Sequence, residues 1–201
     1  MLPFPLLVIL YAGFMHAFEA DHLLAVTNIV TRRAQVLHAV KDGIFWGLGH
    51  TFTLFLVGMG LFVFKMNIPP STFRWFDAAV GAMLIALGAY RLTAMARRRD
   101  RLHQHTPGLA YGVGMVHGLA GSGALVVLVM MQTKTAMQAV AYVLIFGAGS
   151  LIGMLAAVGA FSAPLSRVWL KRGAFQATLA LVSSVLCIGY GGWVIYQSAT
   201  R

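Results

Sequence analysis

"PLLVILYAGFMHAFEADHLLAVTNIV", Pro5–Val30, is apolar enough to lie in lipid, yet it carries His16, Glu19, Asp21 and His22 near its middle. Whether it spans a bilayer decides the fold, and composition gives the answer. Of 201 residues, 59% are hydrophobic and only 10% charged, with mean hydropathy +0.80. That leaves too little polar surface for a water-soluble domain and puts the chain in a membrane. The formal net charge is +10, with Lys+Arg 15 against Asp+Glu 5. In a soluble protein that excess points to nucleic acid. Here the basic residues sit at the ends of apolar runs, where membrane proteins place topology determinants, so no nucleic-acid partner is expected.

Six stretches approach the ~20 residues that cross a hydrocarbon core as helix: Pro5–Val30, His38–Phe64, Phe73–Ala96, Gly108–Gln132, Ala136–Phe161 and Phe175–Tyr196. The expectation is an all-α polytopic membrane protein, one transmembrane domain over residues 1–201. Its start lacks a basic n-region and a small-residue cleavage site, so it reads as the first membrane segment and not a leader. Arg32, Arg33 and Lys41, then Arg91, Arg97, Arg98, Arg99 and Arg101, then Arg167, Lys171 and Arg172 follow the odd-numbered segments. The other side keeps Lys65, Arg74, Lys134 and Arg201. The positive-inside rule makes the richer side cytoplasmic and places both termini outside.

The two halves echo each other. "GFMHAFEADHLLAV" from Gly13 lies over "GMVHGLAGSGALVV" from Gly114, matching His16 to His117. "GLGHTFTLFLVG" from Gly47 lies over "GAGSLIGMLAAVG" from Gly147, matching His50 to Ser150, and "FDAAVGAM" from Phe76 lies over "FQATLALV" from Phe175. The shared order and near-constant offset imply a repeat, residues 1–100 and 101–201, with three helices in each half. An odd number of helices inverts the second copy, an arrangement that transporters use to hold substrate near midplane. Recurrent glycines such as Gly47, Gly58, Gly114 and Gly118 then allow helix backbones to approach.

His16 lies ~16 Å into its segment at ~1.5 Å per residue, about the middle of a ~30 Å core. His50 and His117 are also deep in theirs. Ionisable residues at such depth face the bundle interior and mark function. Imidazole and carboxylate together suit Ni, Co, Cu or Zn, and three histidine-bearing segments favour a metal over a proton relay. At ~100° per residue, Asp21 lies ~140° and His22 ~240° round from His16. A straight helix cannot aim all three at one ion. Either the helix unwinds near Ala20–His22, or Glu19 is a ligand and Asp21 orients a histidine, as carboxylates beside metal-bound imidazole do. The candidate metal ligands are therefore His16, Glu19, Asp21, His22, His50 and His117. Thr51, Thr53 and Ser122 read as helix-packing groups, and His103 and His105 as part of a solvated basic loop.

"HAFEADHLLAVTNIVTRR" resembles the signature of the nickel/cobalt permease family, H-x4-D-H on a transmembrane helix, here His16, Asp21 and His22. "GLGHTFTLF" around His50 resembles that family's second histidine motif, and "GMVHGLAGSGAL" around His117 is similar to the shorter urease-accessory, UreH-type permeases. Glu19 stands where the permeases usually carry aspartate, and six segments stand in place of eight. The resemblance implies transport of Ni2+ or Co2+ across a bacterial cytoplasmic membrane, supplying urease or hydrogenase maturation, with no prosthetic group and no enzymatic activity. No phosphate-binding G-x4-GK[ST] loop occurs, so transport would be of the secondary type. Proton-driven export uses the same ligands and is the alternative. A thiol-redox carrier of similar helical plan needs paired cysteines, and Cys187 stands alone. Its place in an apolar run reads as packing.

Overall fold

The computed structural model describes residues 4–30, 36–66, 68–97, 107–133, 135–164 and 173–200. Arg32, Arg33, Arg98, Arg99, Arg101, His103, His105, Lys134, Arg167, Lys171, Arg172 and Arg201 lie outside them, as does the side chain of Ser122. Among the described residues all regular structure is helical: α1 Phe4–His16, α2 Ala20–Val30, α3 Val36–Gly58 with a π-helical turn Met59–Val63, α4 Pro70–Ala96, α5 Pro107–Gln132, α6 Ala136–Pro164 and α7 Gly173–Thr200. Prolines open α4 and α5, where the missing N–H costs no helical bond.

Four helices are long and apolar enough to cross a membrane, or five crossings if α1 and α2 count as one bent span. The expected first segment is thus not one rod. Its halves are bent by 52°. The turn falls at Ala17–Glu19, earlier than the Ala20–His22 stretch where unwinding is expected from the sequence. There Phe18 N–H donates to Met15 O at 2.9 Å and Glu19 N–H to His16 O at 3.0 Å, the tight i→i+3 pattern of a closing helix. A restarting helix leaves its first amides without partners. Asp21 Oδ1 accepts one of them, the His22 N–H, at 2.9 Å, and the positive end of α2 favours a carboxylate there. No proline or glycine makes the break. A side-chain carboxylate stabilises it.

In lipid there is no hydrophobic force between helices, so close backbone approach has to hold them. The contacts come in matched pairs across the two halves. A Cβ at Gly13 would meet Phe146 O, and one at Gly114 would meet Trp46 O. Gly49 faces Tyr111 O, and Gly149 faces Leu10 O. Gly43 rests on Val158 and Gly58 on Val143, while Gly47 rests on Leu151 and Gly147 on Thr51. Each pair maps onto its mate by the offset that aligns the halves, about a hundred residues. The same contacts show α3 running parallel to α5 and antiparallel to α6. α4 and α7 form their own antiparallel pair through Gly81 and Gly191, whose backbones face each other. Thr51 donates to Gly147 O at 3.2 Å, the packing role expected of it.

Large apolar side chains such as Leu48, Phe52, Leu144, Ile152 and Leu186 are exposed around the bundle, as a lipid-facing surface requires. Trp75, Trp193 and Tyr196 are exposed where α4 starts and α7 ends, in the manner of an interfacial aromatic girdle. Cys187 is a buried free thiol that donates to Leu24 O at 3.5 Å and accepts from Asn28 Nδ2 at 3.6 Å. It fills space, as expected, and also ties α7 to α2.

Candidate metal centre

The bend sets the site. His16 ends α1 and His22 stands in the first turn of α2, so the change of axis brings two rings together that a straight helix would point apart. Their centroids are 4.7 Å apart. α3 adds His50, 5.4 Å from His16 and 5.3 Å from His22. α5 adds His117, 4.8 Å from His22. All four imidazoles are buried, His22, His50 and His117 completely. One potential ligand atom from each of His16, His22 and His50 lies within 4.8 Å of the others, and the same holds for Asp21, His22 and His117. His22 belongs to both groups.

Hydrogen bonds fix which ring nitrogens are available. His22 Nδ1 bonds Asp21 Oδ1 at 3.1 Å, and His16 Nδ1 bonds Glu19 Oε1 at 2.9 Å. His117 Nδ1 bonds Val113 O at 3.3 Å. A neutral imidazole donating through Nδ1 keeps its lone pair on Nε2. The Nε2 atoms of His16, His22 and His117, and both ring nitrogens of His50, are buried with no partner among the described residues. A buried polar atom left so costs ~1–3 kcal/mol, a cost that a bound cation or water would offset. Nitrogen ligands ~2.0–2.1 Å from an ion stand ~3–3.5 Å apart in tetrahedral geometry. The present spacing needs a small contraction to close on a divalent cation. Trp46 walls the site, with its ring 5.6 Å from His22 and 5.4 Å from His117, and Phe146 lies 5.5 Å from His16.

No family model matches the chain, and no solved structure matches it. A curated relative does: the urease accessory protein UreH of Bacillus sp. (strain TB-90), 33% identical over 207 residues, covering 92% of this chain and 91% of that one. The chain belongs to the UreH-type family. That is the short-permease branch to which "GMVHGLAGSGAL" points, and a UreH-type chain with these helices is a multi-pass membrane protein.

Of the six residues singled out from the UreH-type sequence, the structure brings the four histidines and Asp21 together. Glu19 stands at the rim, its side chain 58% exposed against 14% for Asp21, and it meets the cluster only through His16. Each carboxylate thus contacts a histidine ring, and Asp21 also offers a ligand atom to the group with His22 and His117. Ser150, which aligns with His50, donates to Gly13 O at 3.1 Å and pins α1 to α6. Thr53 Oγ1 is buried with no partner among the described residues. Trp46 and Phe146 were not singled out by sequence reasoning. A signal existed: Trp46 lies one turn before His50, on the same face, and Phe146 is its counterpart in the repeat.

Proposed function

We propose that this chain is a secondary transporter that carries Ni2+, or Co2+, across the bacterial cytoplasmic membrane into the cell. The observation that carries the reading is the convergence of four buried imidazoles, with ring nitrogens that have no partner among the described residues, where a membrane helix breaks. Nitrogen donors of this kind select divalent first-row transition metals. The kinship with a urease accessory protein supports nickel as cargo and a urease or hydrogenase maturation system as recipient. His16, His22 and His50 replace the ion's water, with His117 beside them. Asp21 and Glu19 hold two of the rings and offset the ion's charge.

The proposal includes six crossings as two inverted three-helix repeats, with both termini outside. The glycine contacts paired across the halves support the repeat. α5 runs along the membrane-length helix α3, which supports its counting as a crossing. An inside-negative potential favours inward movement by ~2.3 kcal/mol per charge per 100 mV, hence ~4.6 kcal/mol for a divalent ion, which supports uptake. α4 and α7 pair closely with each other and reach the rest of the bundle chiefly through α5 and α2. This makes the α4–α7 pair the natural element to shift as the site changes sides.

The test is counted uptake of radioactive Ni2+ and Co2+ into proteoliposomes under an imposed membrane potential, with and without a pH gradient. Inward accumulation driven by an inside-negative potential is expected. No accumulation of either ion refutes the reading, and outward movement coupled to protons reverses its direction. His22→Ala, correctly inserted, is expected to lose accumulation.

A further inference from the structure

Beyond the imidazole cluster lies a cavity of about 270 Å³ that the mechanism above does not use. It runs from the second turn of α4 and the last turns of α7 inward to the α1–α2 break. The chain has only five acidic residues, and three of them line this one space: Asp77 from α4, and Glu19 and Asp21 from the break. Gln197 and Ser198 line its outer part, and His16 its inner end. The His16 ring is only 7% exposed, and its Nε2 has no partner among the described residues. His16 thus borders both this acidic space and the imidazole cluster. In a protein of net charge +10, such concentration of negative charge is unlike the rest of the molecule.

Size agrees with charge. Six waters occupy ~180 Å³ at ~30 Å³ each, so the cavity admits a divalent ion with its first hydration shell. The imidazole cluster, with rings 4.7–5.4 Å apart, admits only a dehydrated one. The cavity's lining residues Asp77, Gln197 and Ser198 stand where α4 begins and α7 ends, the end of α4 opposite Arg91 and Arg97. We propose that this cavity is an access vestibule facing the outside, a first station for a hydrated divalent cation. Asp77 is the carboxylate that receives the ion before water is exchanged for imidazole. This rests on the transport reading above and adds to it a second binding station and a side of access. A cleft lined by one sign of charge raises the local concentration of the opposite ion, so Asp77 acts on capture and leaves the later transfer step alone.

The experiment uses intact cells expressing the full chain, with radionickel uptake measured against external concentration. Asp77→Asn is expected to raise the half-saturating concentration roughly threefold to tenfold with the maximal rate nearly unchanged, and Asp77→Glu to restore it. A merely structural role would lower the maximal rate and would not be rescued by the longer carboxylate. In parallel, Ser198→Cys is expected to react with a membrane-impermeant maleimide added outside, and Ni2+ is expected to slow that reaction. The parent chain is the silent control, because its one cysteine is buried. Unchanged concentration dependence in Asp77→Asn overturns the vestibule, as does labelling of Ser198→Cys only from the cytoplasmic side or labelling indifferent to Ni2+. Failure of the parent chain to take up any divalent ion overturns the transport reading instead, and that control is scored before any variant.

Discussion

Replacing Asp21 by asparagine removes a charge while keeping an acceptor of nearly the same shape, and so separates two roles a carboxylate can have beside a metal. Asp21 Oδ1 accepts the backbone N–H of His22 at 2.9 Å and its ring Nδ1 at 3.1 Å. Hydrogen bonds to charged groups contribute ~1.5–3 kcal/mol and neutral ones ~0.5–1.5 kcal/mol. Neutralising the acceptor therefore costs about 1–1.5 kcal/mol at each bond. The backbone bond serves the ion-free protein as much as the loaded one, so its loss falls on stability. The ring bond strengthens as His22 gives electron density to an ion, so its loss falls on binding. A drop in Ni2+ or Co2+ affinity of about fivefold to tenfold, ~1–1.5 kcal/mol, is expected, at the low end of the range for groups that orient metal-bound histidine. The assay is Co2+ titration of the purified protein, read through the ligand-field absorption of the bound ion. The shape of that absorption reports the donor set, and the titration midpoint reports affinity. An unchanged spectrum with a shifted midpoint fits an orienting Asp21. A spectrum altered by loss of an oxygen donor would make Asp21 a ligand and refute the role derived from its bonds to His22, and an unshifted midpoint would refute any part for it in binding.

Three further outcomes follow from particular contacts. His50→Leu is expected to abolish metal binding and yet raise the thermal midpoint of the ion-free protein in detergent. Neither ring nitrogen of His50 has a partner among the described residues, and replacing an orphan by an apolar side chain recovers ~1–3 kcal/mol; a lower midpoint would show that the ring is held after all. Glu19→Gln is expected to move Co2+ affinity far less than Asp21→Asn, because its side chain is 58% exposed and water replaces what it gives to His16. Gly13→Ala and Gly114→Ala each drive a Cβ into a facing carbonyl, Phe146 O and Trp46 O, at about 1–3 kcal/mol. Gly159→Ala, with nothing within 4 Å of the added carbon, is the matched control and should leave detergent stability intact.

Much of this was legible in the chain because membrane helices leave few ways to hide a polar group. His16, His22, His50 and His117 stood out as imidazoles in apolar segments, and all four meet. The glycines at 13, 47, 114 and 147 marked the alignment of the halves, and each sits at a close helix approach. The break at Ala17–Glu19 was not legible in the same way. Helix breakers are recognised by proline or glycine, and "HAFEAD" contains neither. What ends α1 is a competition the backbone loses to side chains, since Asp21 supplies the acceptor that a continuous helix would take from a carbonyl. Asp77 carried no motif either, and only its packing beside α7 and the break shows what it faces.

The packing frame repeats between the halves, while the imidazoles repeat only in part: His16 aligns with His117. Gly13 on Phe146 has its mate in Gly114 on Trp46, but the counterpart of His50 is Ser150, and Ser150 has other work. Its hydroxyl holds Gly13 O at 3.1 Å, one turn before His16. α1 is thereby fixed to α6 up to the residue that carries the first imidazole. The second imidazole, on His22, lies beyond the turn, on a helix tied to α7 through Cys187 and Leu24 O. The two rings closest in sequence therefore stand on two helices joined by a bent, three-residue break, both packed on α6 and the second also on α7. On the proposed transport reading, an ion bridging His16 and His22 would draw the two helices together across the break. The two rings stand on the two sides of the joint whose angle sets their distance, and residues of α7 line the acidic cavity beside it.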